Sequence, residues 1–396
     1  MRARISARFD FAKLWAASAV SNIGDGVTIA AGPLLVAQMT QNPALVAGAA
    51  FAQQLPWLLF GLISGAYADR IDRRKLVVLV NVLRGLVLAA LAVSIAADVA
   101  SIPIIYAVFF LLGLGETFAD TASVALLPAV VPQEKLASAN AKLMATYTIS
   151  NQFAAKPLGA WLFVTAAALP FAFDAVSFLV AAGLVATVTR APRRLEPKKT
   201  NLKADIKEGV RWLMNHRVLR TLAMTMSVAN VVFCAAFAIF VLYVQQRLVL
   251  TEVGYGALLT TFAMGGLIGA VIAPRLQRRL LAKHLLRAGL IVETLTHLVL
   301  AITGDWLVAS AILVVFGVHT TVWGTIVITM RQRVVPDGLL GRVTSAYLLL
   351  DLGGAALGSL LGGLAATALG VTGPFWIAAG VMLAICVAAW RPLREA

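Results

Sequence analysis

Twelve stretches of this chain are apolar for about the length a helix needs to cross a lipid bilayer: 14–39, 44–68, 76–97, 103–126, 139–166, 170–189, 221–246, 255–274, 285–303, 306–330, 343–369 and 373–390. Roughly 20 residues, rising about 1.5 Å each, cover a hydrocarbon core about 30 Å thick. Runs this long predict helices, because barrel strands would alternate over about 10 residues. Composition agrees: 60% of the 396 residues are hydrophobic, 13% are charged and the mean hydropathy is +0.88. No water-soluble core could shelter that much apolar surface, which excludes a soluble enzyme and a disordered chain. Cys234 and Cys386 stand in apolar runs and suggest neither a disulfide framework nor a thiolate metal site.

The charges are one-sided. Of the 33 Lys and Arg residues, 30 fall on segments, or on the span edges adjoining them, that share a side with the N-terminus. Arg247 stands on the other side, and Arg84 and Lys156 lie within or at the edge of spans. The positive-inside rule then places both termini in the cytoplasm. The net charge of +15 is an orientation signal with some contact to anionic lipid, not a nucleic-acid footprint. The basic start MRARISARFDFAK precedes a run too long for a signal peptide, so it reads as a retained first span.

Residues 190–220 form the one long polar stretch and divide the chain into a six-span bundle, 1–189, and a second, 221–396. Within it Leu202, Ile206, Val210 and Leu213 recur at helical spacing beside Lys203, Lys207 and Arg211, which predicts an amphipathic helix in the cytoplasmic interface. The halves repeat. Val130-Val131-Pro132 with Leu136 matches Val334-Val335-Pro336 with Leu340, Gly159 matches Gly363, and Arg70-Ile-Asp-Arg-Arg74 echoes Arg275-Leu-Gln-Arg-Arg279. Parallel repeats of this kind place a site near the bilayer midplane, which is transporter architecture.

Gly65-Ala-Tyr-Ala-Asp69-Arg70-Ile-Asp72-Arg73-Arg74 resembles the loop 2–3 signature of the major facilitator superfamily, Gly-x-x-x-Asp-Arg-x-Gly-Arg-Arg, with Asp72 where Gly is usual. The resemblance implies a cytoplasmic latch of Gly65, Asp69, Arg70, Arg73 and Arg74. Ser21-Asn22-Ile-Gly24-Asp25, Gly115-Glu116-Thr117 with Asp120, Pro128 and Pro132, and Glu208-Gly-x-Arg211-Trp212 resemble the enterobactin-exporter and macrolide-efflux branch. Members of that branch are mostly proton-coupled exporters of small amphiphilic molecules. Drug antiporters carry Gly-Pro-x-x-Gly in span 5; here Lys156-Pro157-Leu158-Gly159 puts a lysine first, which weighs against close packing of that helix.

Ionisable groups inside spans cost at least about 2.5–3.5 kcal/mol at a helix centre, so each needs a reason. Asp25, about 17 Å beyond Leu14, lies near the midplane and is a candidate proton carrier or a helix-packing fixture. Glu116 and Asp120, four apart on one face, could share protons, bind a cationic substrate or pair with Arg84. Lys156 and Asp174 lie at similar depth, which predicts an ion pair; the competing reading is that Lys156 attracts an anionic substrate. Glu293 and His297 share a face of span 9 and read as structural, whereas His319 and Asp351 stand isolated in spans 10 and 11. Asn22, Gln53, Gln54, Asn151, Gln152 and Asn230 offer hydrogen bonds to a ligand or glue between helices. The Gly353-Gly354, Gly358, Gly362-Gly363 series predicts close packing of span 11.

No phosphate-cradling loop, nucleophile–base set or histidine metal spacing appears, so neither a cofactor nor a metal is expected and export would draw on an ion gradient. The expectation is an all-α membrane protein with twelve transmembrane helices in two halves. It would be a monomeric secondary transporter of the inner membrane that effluxes a small amphiphilic molecule against protons, with membrane lipids as its other partner and no nucleic acid. An importer, a lysolipid flippase and a non-transporting sensor or scaffold remain open alternatives.

Overall fold

Each of the twelve apolar stretches falls on helix, and no strand occurs among the described residues. The computed structural model describes residues 2–68, 72–189, 202–336 and 339–395. The helices of the N-terminal part are α1 (Arg2–Met39), α2 (Pro43–Ala68), α3 (Arg73–Ala96), α4 (Ile102–Val130), α5 (Leu136–Tyr147), α6 (Ala155–Thr165) and α7 (Leu169–Ala186). The remainder are α8 (Leu202–Asn215), α9 (Arg217–Ala238), α10 (Phe240–Gln246), α11 (Glu252–Arg279), α12 (Ala282–Ile302), α13 (Trp306–Val334), α14 (Leu340–Leu369) and α15 (Gly373–Ala389). Among the described residues nine helices are individually long and apolar enough to cross a membrane, or ten if Gly353–Leu369 and Gly373–Ala389 count as one bent span. Those two segments turn by 118°, at Gly370, whose φ of 79° suits glycine. The fifth stretch is cut into three pieces by a π-helical segment, Thr148–Ala154, between α5 and α6.

The chain forms two compact units. The first comprises Met1–Thr40, Ala52–Lys198 and Glu252–Thr260, and the second Gln41–Phe51, Lys199–Thr251 and Thr261–Ala396. In the first, α1 packs on α6 and α7, and α3 packs on α4 and α7. Helix α3 shows why this is membrane protein. Leu79, Leu83, Leu86 and Val93 are more than half exposed, while Asn81 and Arg84 are buried. Apolar side chains outside and polar ones inside reverse the soluble pattern and suit a hydrocarbon surround. Helix α7 repeats the arrangement, with Val176 and Val180 outside and Asp174 and Ser177 inside.

Asp72, which replaces the signature's glycine, caps α3: its carboxylate accepts from the backbone N–H groups of Arg74 (3.0 Å) and Lys75 (3.2 Å). Arg74 donates to the Val188 carbonyl at 2.6 Å. Gly65 falls on α2 and Arg73 opens α3, whereas Asp69 and Arg70 lie outside the described residues.

In the second unit, α9 packs along α14, and α12 packs on α13 and α15. The glycine series does bring backbones together. A Cβ at Gly354 would stand 2.8 Å from the Ser227 carbonyl oxygen, and Cβ atoms at Gly358 and Gly362 would strike the carbonyls of Val231 and Ala235. Gly362→Leu is therefore expected to lower stability by about 1–3 kcal/mol, because a backbone carbonyl cannot give way. Thermal unfolding of the detergent-purified protein checks this against Gly380→Ala, whose Cβ would meet nothing within 4 Å. Equal midpoints would refute it.

Helix α8 is the amphipathic element, but its apolar face turns partly into the protein. Leu213 is buried in a core with Leu219, Leu222 and Val343, Trp212 packs against that core, and Glu208 pairs with Arg342 of α14. Residues 190–201 lie outside the described residues.

Candidate functional site

Four helices of the first unit bring their intramembrane charges together. Arg84 of α3 donates from Nη2 to Oδ1 of Asp25 on α1 at 2.7 Å, with side-chain exposures of 7% and 25%. The guanidinium carbon lies 4.0 Å from the centre of the Phe178 ring on α7, a cation–π contact away from water. Room for the arginine stem comes from Gly115 of α4, where a Cβ would come within 2.8 Å of Arg84 Cγ and Cδ. Glu116, half-buried, and Asp120, exposed, follow on α4, near enough for Coulombic attraction to Arg84, as are Asp25 and Asp174. Arg84 Nε is buried without a hydrogen-bond partner among the described residues.

Asp174 of α7 is the fourth carboxyl of this cluster. Thr28 of α1 donates to its Oδ2 at 2.6 Å, and Ser177, one turn on, donates to its Oδ1 at 2.9 Å. Gly24 lets α1 approach, since a Cβ there would collide with both Ser177 Oγ and Asp174 Oδ1. The predicted ion pair between Asp174 and Lys156 does not form. Lys156 Nζ instead donates one turn back to Gln152 Oε1 at 2.6 Å, and Gln152 donates to the Tyr147 hydroxyl at 2.8 Å. Similar depth was not enough: Asp174 is already held by two hydroxyls, and the lysine finds its acceptor on its own helix.

The lysine also leaves the helix packing intact, contrary to the expectation from the span 5 motif. A Cβ at Gly159 would lie 2.5 Å from the Val27 carbonyl, and one at Gly26 would lie 2.6 Å from Ala155 Cβ and the Asn151 carbonyl. Asn151 donates from Nδ2 to the Asn22 carbonyl at 3.1 Å, while Asn22 turns its own amide back on Ser18 at 2.7 Å. These two asparagines therefore join α1 to the π-helical segment.

Gln53 is half-buried on α2, with its carbonyl against Gly113. Asn230 of α9 accepts a weak bond from Cys234 Sγ at 3.5 Å. Asp351 falls on α14, and its side chain lies outside the described residues. His319 is not isolated. Its Nε2 lies 2.9 Å from Oε2 of Glu293, whose other oxygen is 3.7 Å from His297 Nε2. His297 and Glu293 are buried, and Phe316 and Phe375 adjoin His297. That closed setting in the second unit fits a structural role.

Sequence reasoning named Asp25, Glu116 and Asp120 and offered Arg84 as a partner for the two on α4, but did not foresee that the arginine bonds to Asp25. Arg84 was visible as an arginine inside an apolar span, and that alone was the signal available.

The chain matches the transmembrane secretion effector family over residues 6–395. It belongs to that family, a branch of the major facilitator superfamily. The multidrug efflux pump Tap of Mycolicibacterium fortuitum is 27% identical over 398 residues, spanning 96% of this chain and 95% of that protein. The enterobactin exporter EntS of Escherichia coli O1:K1 / APEC is 26% identical over 318 residues, spanning 77% and 73%. Among solved structures, a bacterial homologue of the iron transporter ferroportin in its inward-facing state superposes with a TM-score of 0.76 at 17% identity, over 98% of each chain. The nucleoside transporter NupG superposes at 0.75 and 11% identity, over 98% of this chain and 99% of that one. These two share the fold. The protein is a multi-pass membrane transporter of small molecules.

Proposed function

We propose that this transporter exports a small amphiphilic compound in exchange for protons, by alternating access, from the cytoplasmic side of the plasma (inner) membrane. The observation that carries this reading is Arg84 hydrogen-bonded to Asp25 with Glu116, Asp120 and Asp174 around it. One guanidinium among four carboxyl groups forms a site where protons bind and leave. When Asp25 takes a proton it stops competing for Arg84, and the cation turns to Glu116 or Asp120. Asp25 is thus the proton carrier and Glu116 its assistant. An exchange of partners by one arginine gives the helices that carry them two arrangements, which alternating access requires. One charge crossing 100 mV yields about 2.3 kcal/mol, so the proton gradient suffices without a cofactor.

Direction is supported by two relatives whose names say efflux and export. Orientation is supported by the basic residues: both termini are cytoplasmic, and the Arg73 and Arg74 end of α3 belongs to the latch on that side. The transporter acts as a monomer surrounded by lipid.

Everted vesicles with an acid interior, reported by a quenched dye, test this reading. Macrolides, tetracyclines, siderophores and cationic dyes are added in turn to wild type and Asp25→Asn. Dequenching by one class, reduced at least about tenfold in the variant, is the expected result. Dequenching that survives the substitution would remove Asp25 from the proton path. No dequenching by any compound would refute the antiport.

A further inference from the structure

Lys156 is the buried charge that the coupling cluster leaves unused. It is 8% exposed on α6, and no carboxylate lies within ion-pair distance of it among the described residues. An ammonium has three donors, and the bond to Gln152 Oε1 engages one of them. A buried cation without a counter-ion is costly and persists for a reason.

The neighbouring side chains form a graded path from that ammonium to the surface. Gln152 points its oxygen at Lys156 and its amide at the Tyr147 hydroxyl oxygen, which leaves the tyrosine proton free to donate. Tyr147 is 40% exposed, so the path ends at the surface. Asn151, 2% exposed, leaves Oδ1 without a partner while its amide holds α1. The π-helical segment carries Asn151 and Gln152, and Tyr147 and Lys156 flank it.

We infer that Lys156 and Tyr147 form a binding subsite for an anionic head group, so that the substrates of this transporter are amphiphilic acids. The inference rests on the transport reading above and adds the sign of the substrate's charge. The ammonium supplies the counter-charge, and the phenol donates a hydrogen bond at the mouth. The same head-group chemistry belongs to soluble aromatic acids and to anionic lysolipids.

The test measures binding first, by thermal unfolding of the detergent-purified full chain. Fluorescein and rhodamine 123 share a xanthene scaffold with opposite charge; lysophosphatidylglycerol and lysophosphatidylcholine form the lipid pair. One of the anionic members is expected to raise the midpoint saturably, with its counterpart inert. Lys156→Met is expected to weaken that binding at least about tenfold, Lys156→Arg to retain part of it, and Tyr147→Phe to weaken it severalfold. Stabilisation by fluorescein assigns a soluble acid, and stabilisation by the lysolipid alone assigns a lipid head group. The proposal is overturned if neither anionic probe stabilises the wild type, or if Lys156→Met responds as the wild type does. Should Lys156→Met fail to fold, Tyr147→Phe decides, because an exposed phenol can be lost safely; unchanged binding there overturns the subsite. Anion binding without proton exchange in vesicles would keep the subsite and sink the antiport. Antiport of rhodamine 123 without anion binding would do the reverse.

Discussion

Arg84→Gln is expected to stop coupled transport and to destabilise the protein by about 3–5 kcal/mol, the cost of stripping one partner from a buried ion pair. The wild-type arginine serves more than Asp25. It is 7% exposed, lies against Phe178 and faces the charges of four carboxyl groups. Glutamine keeps some of the stem that Gly115 accommodates and removes the cation, so Asp25, Glu116, Asp120 and Asp174 are left with no neutralising charge. Asp25→Asn combined with Arg84→Gln should regain part of the stability, because the carboxylate nearest the lost cation goes with it. It should not regain proton exchange, since neither the carrier nor its cation remains. Thermal unfolding of purified variants and dye dequenching in everted vesicles read the two effects separately. A single variant with wild-type stability and turnover would show that Arg84 is dispensable and that the cluster is not the coupling site. A double variant that recovers exchange would move the proton path to other residues.

The helices were legible from the sequence because the bilayer imposes one strong rule, an apolar run of sufficient length; all twelve runs fall on helix, and nine or ten of the described helices meet the rule by themselves. The pairing of charges was not legible, because it is set by which helix faces which. Asp25 and Arg84 are 59 residues apart, and nothing in either local pattern says that α3 turns its single intramembrane arginine toward α1. Depth along a span is readable from residue counts, but rotation about the helix axis is not; hence Lys156 and Asp174 shared a level without meeting. His319 failed in the same way, its partner Glu293 being on the preceding helix of the other hairpin arm. Asp72 is a case where the sequence departed from the family signature and the structure shows the compensation, a cap on α3. The π-helical segment left no sign at all. Thr148-Ile-Ser-Asn-Gln-Phe-Ala154 has no proline or glycine to announce a break, and the glycine that lets α1 come close to it, Gly26, lies more than 120 residues earlier in the chain.

That segment supports the second large expectation: deleting Ile149 should abolish most transport while sparing the fold. A π turn holds about one residue more than an α turn, so removing one residue lets a continuous α-helix run from Leu136 to Thr165 with both flanks in register. Ile149 is 56% exposed, and its loss leaves no cavity. Side chains inside the turn are swung by about 100°, the angle of one helical residue. Asn151 then loses the Asn22 carbonyl, while Gln152, brought from five residues to four from Tyr147 and still four from Lys156, stays on their face of the helix. Stability should fall by about 1–2 kcal/mol, since the Gly159 contact with α1 lies beyond the turn and the regained helical bonds offset the lost amide, while the close contact of Gly26 with the Asn151 backbone has to be remade. Transport should fall at least about tenfold, about 1.4 kcal/mol in the barrier. Asn151→Ala, which removes the amide but keeps the wide turn, separates the two contributions and should cost less. Wild-type turnover after the deletion would mean that the π turn is a packing accommodation alone, and that the hold of Asn151 on α1 takes no part in moving substrate.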